Sequence, residues 1–346
     1  MHETYHIAEK LGDSKVNVKT RILYIFWENA QHIKKMLIFA PRKELIMEKK
    51  VVKIPNIAEE LRIGYSFNYL IKVIAETDAD EAVQWDFADA NFLHPFFLAP
   101  LAIYKNTSGK DIECINIPLR IQSYLNSVCF DRMLHFDNDP QEDIETVMKK
   151  YIDKTYIPLC SFAMTNSNKD KFGSIMQRVI TKQANIQSGS SLSYLISELF
   201  DNIYEHSQSK NGYVFSQYLE REGFIDLCIA DTGITIFNSY KNANLYQEEI
   251  GGSEVESLML ANEGYSTKNR PEAENRGYGI STSKRMLVEG MKGAFFMLSG
   301  GAFHRYENGT NDYIDLAGQF YWHGTIILLR IPVKLPEDFN YIDYLE

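Results

Sequence analysis

Short apolar strands alternate with helix-patterned segments through most of this 346-residue chain, and no other feature limits the possible folds as much. Strand-like runs occur at residues 51–54, 83–87 and 112–117, and apolar residues recur at helical spacing between them. Such alternation is typical of a sheet with helices packed against it. Because the alternation resumes after residue 157, the sequence predicts a mixed α/β fold.

The length suggests two domains, since domains average roughly 150 residues. A polar stretch at residues 137–143 would be crossed by few apolar contacts and is the best linker candidate. Beyond it the sequence predicts strands, helices, a hairpin around Gly223 and a long irregular segment at 237–276. We therefore expect a basic helical segment, a small α/β domain, a linker and a larger α/β domain, at residues 1–48, 49–136, 137–156 and 157–346.

The composition excludes several functional classes. The net charge of −10 argues against binding nucleic acid through bulk charge, although residues 1–50 carry ten Lys and Arg against six Asp and Glu. The four cysteines have no Cys-x-x-Cys spacing, which argues against a zinc site or redox pair. The apolar runs are far shorter than the ~20 residues that span a bilayer. We expect a cytoplasmic protein without a membrane or nucleic-acid partner.

Glu198, Asn202 and His206 follow one another at four-residue spacing, so they share one face of a predicted helix. An Asn oxygen suits Mg²⁺, and a carboxylate one turn away can accept a proton from water or a hydroxyl. The simpler interpretation is an amphipathic helix with a solvated polar face.

Three further motifs follow along the chain. Asp231-Thr232-Gly233 ends an apolar strand, where the carboxylate can accept a hydrogen bond from an exocyclic amine. Gly277-Tyr278-Gly279 opens a predicted helix, whose N–H groups favour phosphate. Gly324-Thr325 precedes the last apolar strand, and its hydroxyl could reach a bound base.

The order and spacing of these four motifs resemble the GHKL ATPase superfamily. That group includes gyrase-type topoisomerases, heat-shock chaperones, histidine kinases, mismatch-repair ATPases and anti-sigma-factor serine kinases. The resemblance covers about residues 185–335, and Ser266-Thr267-Lys268 is similar to a segment before the glycine loop in histidine-kinase-type members. It implies a Bergerat fold, which is an α/β sandwich with a mixed sheet.

The resemblance also implies a site for ATP or ADP with Mg²⁺. Asn202 would hold Mg²⁺ and through it the triphosphate, and Glu198 would be the catalytic general base. Asp231 would bind the adenine amine, and segment 237–276 would be the ATP lid. The other nucleotide contacts would come from Gly233, Lys268, Gly277, Tyr278, Gly279, Ile280 and Thr325.

Two positions need comment within this resemblance. The first glycine box of the superfamily often reads Asp-x-Gly-x-Gly, and here Thr235 replaces its last glycine. This departure puts the flexibility of the lid hinge in question. His206 matches a position often occupied by His in the anti-sigma-factor kinases, and a local hydrogen bond at the helix end is favoured over catalysis.

Residues 85–101 look similar to STAS-like domains, in which a strand ending in Asp-Phe leads to an apolar helix. STAS domains are partners of GHKL serine kinases, which phosphorylate a Ser or Thr at the start of that helix. Residues 92–98 contain neither, and His94 stands near the place, where capping or packing is the favoured role. The resemblance therefore implies a module that binds without being phosphorylated there.

The favoured hypothesis is a Mg-ATP-binding regulatory protein whose lid controls contacts with a protein partner or between its domains. Slow hydrolysis or phosphotransfer to a partner, as in a GHKL ATPase or serine/threonine kinase, belongs to this hypothesis. No histidine precedes residue 185 in a two-helix hairpin, and no transducer domain is expected after the last strand. The alternative is a non-enzymatic nucleotide-sensing module in a bacterial signalling or defence system. A homodimer is compatible with both.

Overall fold

The computed structural model describes residues 49–57, 63–136, 144–184, 189–267 and 278–344. From Lys49 onward the chain forms one compact unit. The predicted N-terminal segment, residues 1–48, lies outside the described residues, as do residues 137–143 of the predicted linker. The boundaries between the predicted domains stay predictions.

Helices and strands alternate along the described residues, and the fold is mixed α/β, as the sequence predicts. The strands are β1 (Lys50–Lys53), β2 (Ala82–Asp86), β3 (Asp111–Ile115), β4 (Leu134–Phe136), β5 (Tyr156–Ala163), β6 (Asn211–Leu219), β7 (Phe224–Asp231), β8 (Ala294–Gly300), β9 (Ala302–Glu307), β10 (Thr310–Asp315) and β11 (Trp322–Pro332). The helices are α1 (Ile63–Asp78), α2 (Pro95–Thr107), α3 (Leu119–Ser127), α4 (Ile144–Met148), α5 (Asn166–Ala184), α6 (Gly189–His206), α7 (Ile236–Ala243), α8 (Gln247–Ile250), α9 (Glu254–Asn262) and α10 (Tyr278–Arg285). None of the helices in these ranges combines the length and the apolar character needed to cross a bilayer.

The first three strands form a small parallel sheet in the order β1-β2-β3. Its covered face carries Val52, Val83 and Trp85, which are fully buried. The indole Nε1 of Trp85 donates a hydrogen bond to Thr77 Oγ1 of α1 at 2.9 Å. This bond satisfies the polar atom of the ring, so the ring can occupy the core without a desolvation penalty.

Helix α2 is buried on all sides, from Pro95 to Tyr104. A helix that is apolar all round belongs in the interior of a fold. Both α1 and α2 pack on the large sheet, because Phe67 of α1 and Phe96 of α2 each place their ring centroid 5.8 Å from that of Phe296 on β8. The two helices therefore form a layer between the small sheet and the large one.

The large sheet has eight strands in the order β10-β9-β8-β11-β7-β6-β5-β4. Its strand pairs are antiparallel except for β4 and β5. Cys228 and Leu328 face the core shared with α1 and α2, whereas Leu227 and Leu329 face the core shared with α5 and α6. Because both faces are covered, β7 and β11 are nearly continuous apolar runs rather than alternating ones.

A buried polar cluster joins the large sheet to α2. Nε and Nη2 of Arg330 on β11 donate to the two carboxylate oxygens of Asp226 on β7, each at 2.8 Å. Nη2 also lies 2.8 Å from Nε2 of His94, the residue that caps α2. His94 Nδ1 accepts a hydrogen bond from the Phe96 N–H at 3.2 Å, which confirms the capping role predicted for His94. Burial lowers the pKa of His94 to about 4, since the charged form would lose its hydration.

The prediction that residues 237–276 are irregular is wrong for the part that the structure describes. Helices α7, α8 and α9 lie there, and none is longer than nine residues. Such short helices leave little apolar periodicity to read. Side-chain caps mark two of them, because Thr235 Oγ1 accepts a hydrogen bond from the Asn238 N–H in α7 and Ser253 Oγ accepts one from the Glu256 N–H in α9, each at 3.2 Å. Strands β4 and β10, which the sequence reading missed, are likewise short or half exposed.

Candidate functional site

A cleft of about 770 Å³, measured out to its open mouth, lies on the side of the large sheet that carries α6 and α10. Its walls come from α6, the ends of β7 and β11, the start of α10 and residues 261–267. The residues singled out from the sequence that line it are Glu198, Asn202, His206, Asp231, Gly279, Ile280 and Thr325.

Helix α6 presents its polar face to this cleft. Leu195 and Leu199 on the opposite side are fully buried in the core and hold the helix in place. The side-chain Nδ2 of Asn202 donates to the backbone oxygen of Glu198 at 2.7 Å. Because the amide nitrogen is held by the helix, Oδ1 is the atom of Asn202 that is left to bind a ligand in the cleft.

Asp231 ends β7 with its carboxylate nearly out of reach of water, since only 1% of the residue is exposed. Burial raises the pKa of Asp231 to about 7, and hydrogen bonds from the backbone of Gly233 and Thr325 limit the rise. The Gly233 N–H lies 2.8 Å from Oδ1. A ligand that donates an N–H to this carboxylate would therefore satisfy a group that water does not.

Two glycines allow the backbone to close around Asp231. A Cβ on Gly233 would fall 2.0 Å from the Ser207 backbone oxygen, where the chain leaves α6. A Cβ on Gly324, whose φ is +91°, would fall 2.5 Å from Asp231 Oδ1. Gly233 is not among the residues that line the cleft, so the structure gives it a packing role beside Asp231.

The start of α10 abuts the middle of α6. A Cβ on Gly279 would fall 1.8 Å from Glu198 Oε2, so only glycine lets this carboxylate occupy its place. Tyr278 is the first residue of α10, and Ile280 is buried on the cleft side. Lys268 and Gly277, also predicted to contact the nucleotide, lie outside the described residues.

Thr325 reaches the cleft from β11, and its hydroxyl lies 3.1 Å from Ser299 Oγ on β8. Ser299 Oγ also donates to the Gly324 oxygen at 3.1 Å and accepts from the Ile236 N–H at 3.0 Å. Ser299 thus links β11 to the first residue of α7. No feature of the sequence pointed to Ser299, because it reads as an ordinary strand residue.

Thr235, which stands where a glycine was expected, caps α7. Its Oγ1 accepts a hydrogen bond from the Asn238 N–H at 3.2 Å, and 2% of the residue is exposed. A glycine could not provide this bond. With threonine rather than glycine at this position, the backbone is less flexible and the first residue of α7 is fixed by the cap.

Residues 264–267 line the cleft. The sequence pointed to them only as part of the expected lid segment 237–276 and of the similarity that includes Ser266-Thr267-Lys268. The hydroxyl of Tyr240, a buried residue of α7, donates to the Tyr265 oxygen at 2.5 Å. Thr267 Oγ1 lies 2.8 Å from His206 Nδ1 and 3.0 Å from Ser239 Oγ. The bond to His206 joins residues 61 positions apart, so it is not the local bond predicted for this histidine. It holds the segment against α6, and the contact with Ser239 holds it against α7.

Comparison with known proteins adds no identification. No family model matches the chain, and no curated protein matches it significantly. Within the described ranges, no three His, Cys, Asp or Glu side chains gather as a metal cage.

Proposed function

We propose that this protein is a regulatory protein of the histidine-kinase-like GHKL type and that its cleft binds Mg-ATP. The observation that carries the proposal is the convergence of four motifs, far apart in the sequence, on one cleft. Glu198, Asn202, Asp231, Gly279 and Thr325 each come from one of those motifs. Polar residues that were simply exposed to solvent on separate surfaces would have no reason to line one cleft.

The adenine end of the cleft would lie at Asp231. Its carboxylate is buried, has backbone donors at Gly233 and Thr325, and carries a raised pKa of about 7. An exocyclic amine supplies the further donor that favours the ionised form. The hydroxyl network of Thr325 and Ser299 borders the same place, so a base would meet polar atoms rather than bare hydrocarbon.

The phosphate end would lie between Asn202 and the start of α10. Bound Mg²⁺ would neutralise phosphate charge and prefers oxygen ligands, which fits the Asn202 Oδ1 left by the bond to the Glu198 backbone. Mg²⁺ usually takes one or two protein ligands and completes its shell with phosphates and water, so a cage of protein ligands is not required. The first turn of α10 offers N–H groups to phosphate.

Glu198 is suited to accept a proton from an attacking water or hydroxyl. It lines the cleft one helical turn before Asn202, and the absent side chain of Gly279 gives its carboxylate room. Hydrolysis, or phosphotransfer to a partner protein, would then depend on Glu198, whereas binding would not.

The small sheet with α1 and α2 would serve as a STAS-like module fixed to the ATP-binding sheet. Its helix α2 is buried, and His94 at the helix start is enclosed with Arg330 and Asp226. Such an enclosed position supports a module that is not phosphorylated there. A partner protein would instead recognise the state of residues 236–267, whose last part lies across the cleft and would respond to the nucleotide.

Calorimetry on the full chain with ATP, ADP and GTP, with and without Mg²⁺, tests the proposal. We expect saturable binding of adenine nucleotides and a loss of affinity of about 10–100-fold in Asp231→Asn, since hydrogen bonds to charged groups contribute about 1.5–3 kcal/mol. Asp338→Asn, an exposed carboxylate at the far end of the chain, is the matched control. Absence of adenine nucleotide binding to the wild type would overturn the proposal.

Phosphate release at millimolar Mg-ATP separates an enzyme from the alternative, a nucleotide-sensing module. Turnover that disappears in Glu198→Gln while ATP binding persists supports the enzyme. A flat trace with clear nucleotide-dependent thermal stabilisation supports the sensing module.

A further inference from the structure

The proposed function assigns no role to the hydroxyl of Thr267, which lies in the same cleft. Its Oγ1 lies 2.8 Å from His206 Nδ1, within hydrogen-bond distance. Pairing with an imidazole is one of the ways in which proteins convert a weak hydroxyl into a nucleophile. Ser239 Oγ, 3.0 Å away on the other side, restricts the rotation of the Thr267 hydroxyl.

Thr267 also faces the place where phosphates would lie. It lines the same cleft as Glu198 and Asn202, and His206 stands one helical turn beyond Asn202 on α6. A Mg-triphosphate held at Asn202 would therefore be close to the hydroxyl and its imidazole partner. The backbone beside Thr267 is anchored, since the Tyr265 oxygen accepts a hydrogen bond from Tyr240 at 2.5 Å.

We propose that Thr267 is a phosphoacceptor for the nucleotide bound in its own chain, with His206 as the general base. This inference rests on the proposed function, because a nucleoside triphosphate must occupy the cleft. Thr267 Oγ1 attacks the γ-phosphorus as its proton passes to His206 Nδ1. The bond between the γ-phosphorus and the bridging oxygen breaks, and the electron pair leaves with the nucleoside diphosphate. The products are phosphothreonine, the diphosphate and a proton, which His206 returns to solvent.

The product would change the cleft in a defined way. A phosphate on Thr267 replaces the hydroxyl hydrogen and changes the contacts of Oγ1 with His206 Nδ1 and Ser239 Oγ. It also adds about −1.5 to −2 charges to a cleft that holds the carboxylates of Glu198 and Asp231. Because like charges repel, residues 264–267 would move away from α6 after the transfer. The phosphorylated chain would then carry a record of triphosphate binding that persists after the diphosphate leaves.

The experiment incubates the full chain with Mg-ATP and maps phosphopeptides by mass spectrometry over time. We expect phosphate on Thr267, at a rate per molecule that does not change with protein concentration, because acceptor and cleft belong to one chain. Thr267→Val, which keeps the shape but lacks the hydroxyl, should lose the modification, and Thr267→Ser should keep it. His206→Gln should slow it by about 100-fold or more, since a general base contributes roughly 10²–10⁴-fold. Thr310→Ala, on strand β10 and not among the residues that line the cleft, should leave it unchanged.

Nucleotide binding is measured on the same samples by calorimetry, so that the two proposals fail separately. Binding of ATP without phosphate on Thr267 overturns this inference and leaves the proposed function standing, whereas absence of binding overturns both. Phosphate on Ser239 or Ser266 instead, or a rate that rises with protein concentration, also contradicts it. An unchanged rate in His206→Gln would exclude His206 as the base.

Discussion

Two aspartates on the same strand, Asp226 and Asp231 of β7, are both almost completely buried, yet their surroundings differ. Asp226 receives two hydrogen bonds from the Arg330 guanidinium, which neutralises its charge. Asp231 has backbone donors at Gly233 and Thr325 and faces a cleft. The comparison teaches that burial alone does not mark a functional carboxylate. A buried carboxylate with a charged partner stabilises the fold, whereas one with a ligand-sized space in front of it can be used for binding.

The first prediction tests the paired aspartate. Arg330→Met should lower the free energy of unfolding by about 3–5 kcal/mol, because it leaves the carboxylate of Asp226 buried without the guanidinium. The remaining neighbour, His94 Nε2 at 3.6 Å, has a pKa lowered to about 4 by burial and does not replace that charge. Urea denaturation measures this change. Arg305→Met, which removes a more exposed pair with Asp312, is the control and should cost no more than about 1 kcal/mol. Equal losses in the two variants would show that the buried pair is not special.

The second prediction concerns the unpaired aspartate and pH. The folded pKa of Asp231, about 7, lies above its usual value of 3.8, so the folded state binds the proton more tightly than the unfolded state does. The fold therefore favours the neutral form of the Asp231 carboxyl, and the stability that this form contributes is fully present below pH 4. That stability is lost as the pH rises from about 4 to 7 and the carboxyl ionises. Relative to Asp231→Asn, the wild type should lose stability over that window, by up to about 4 kcal/mol at 1.36 kcal/mol per unit. Parallel pH curves for the two proteins, measured by chemical denaturation, would contradict the assignment.

The third prediction probes the backbone that encloses Asp231. Gly233→Ala places a Cβ 2.0 Å from a backbone oxygen, which cannot move aside as a side chain can. We expect a loss of about 1–3 kcal/mol in unfolding free energy, as for other overpacked sites, together with weaker nucleotide binding. Gly173→Ala, in α5 with no atom near the added Cβ, is the control and should not reduce stability. A fully stable Gly233→Ala protein would mean that the backbone at Ser207 can move away from residue 233 at no cost in stability.

The smallest expected effect concerns His94, which lies beside the Asp226–Arg330 pair. His94→Ala removes both the cap of α2 and the contact with Arg330, whereas His94→Asn restores a capping oxygen. The Asn variant should be more stable than the Ala variant by about 1 kcal/mol in thermal or urea unfolding. If the two were equally stable, the cap at Phe96 would contribute nothing measurable.

Much of the fold could be predicted from local pattern. Helices α1, α2 and α6 and strands β1, β2, β3, β6, β7 and β11 all lie where helical spacing or apolar runs in the sequence indicated them. The three short helices within residues 236–262 could not be found this way, since they are too short to show periodicity, and side-chain caps mark only α7 and α9. Thr235 shows the same limit at a single residue. Its place in the sequence marked a missing glycine, and the structure shows a helix cap.

The candidate site divides along the same line. Glu198 and Asn202 could be paired from spacing, because a helix places residues four apart on one face. Ser299 and the contact between Thr267 and His206 could not, because the partners come from different elements and carry no local signal. The sequence singled out Asp231 by its place before Gly233 at the end of an apolar strand, but nothing in it indicated that Asp226 has Arg330 as a partner.

The order of residues alone determined most of the longer strands and helices and which polar side chains share a helix face, because these depend on backbone geometry within a few residues. Only the tertiary structure decided which buried charges have partners, where the cleft opens, and which hydroxyl meets an imidazole. Those outcomes depend on distances between elements far apart in the chain, and burial changes the energy of a charge only after those elements have packed together.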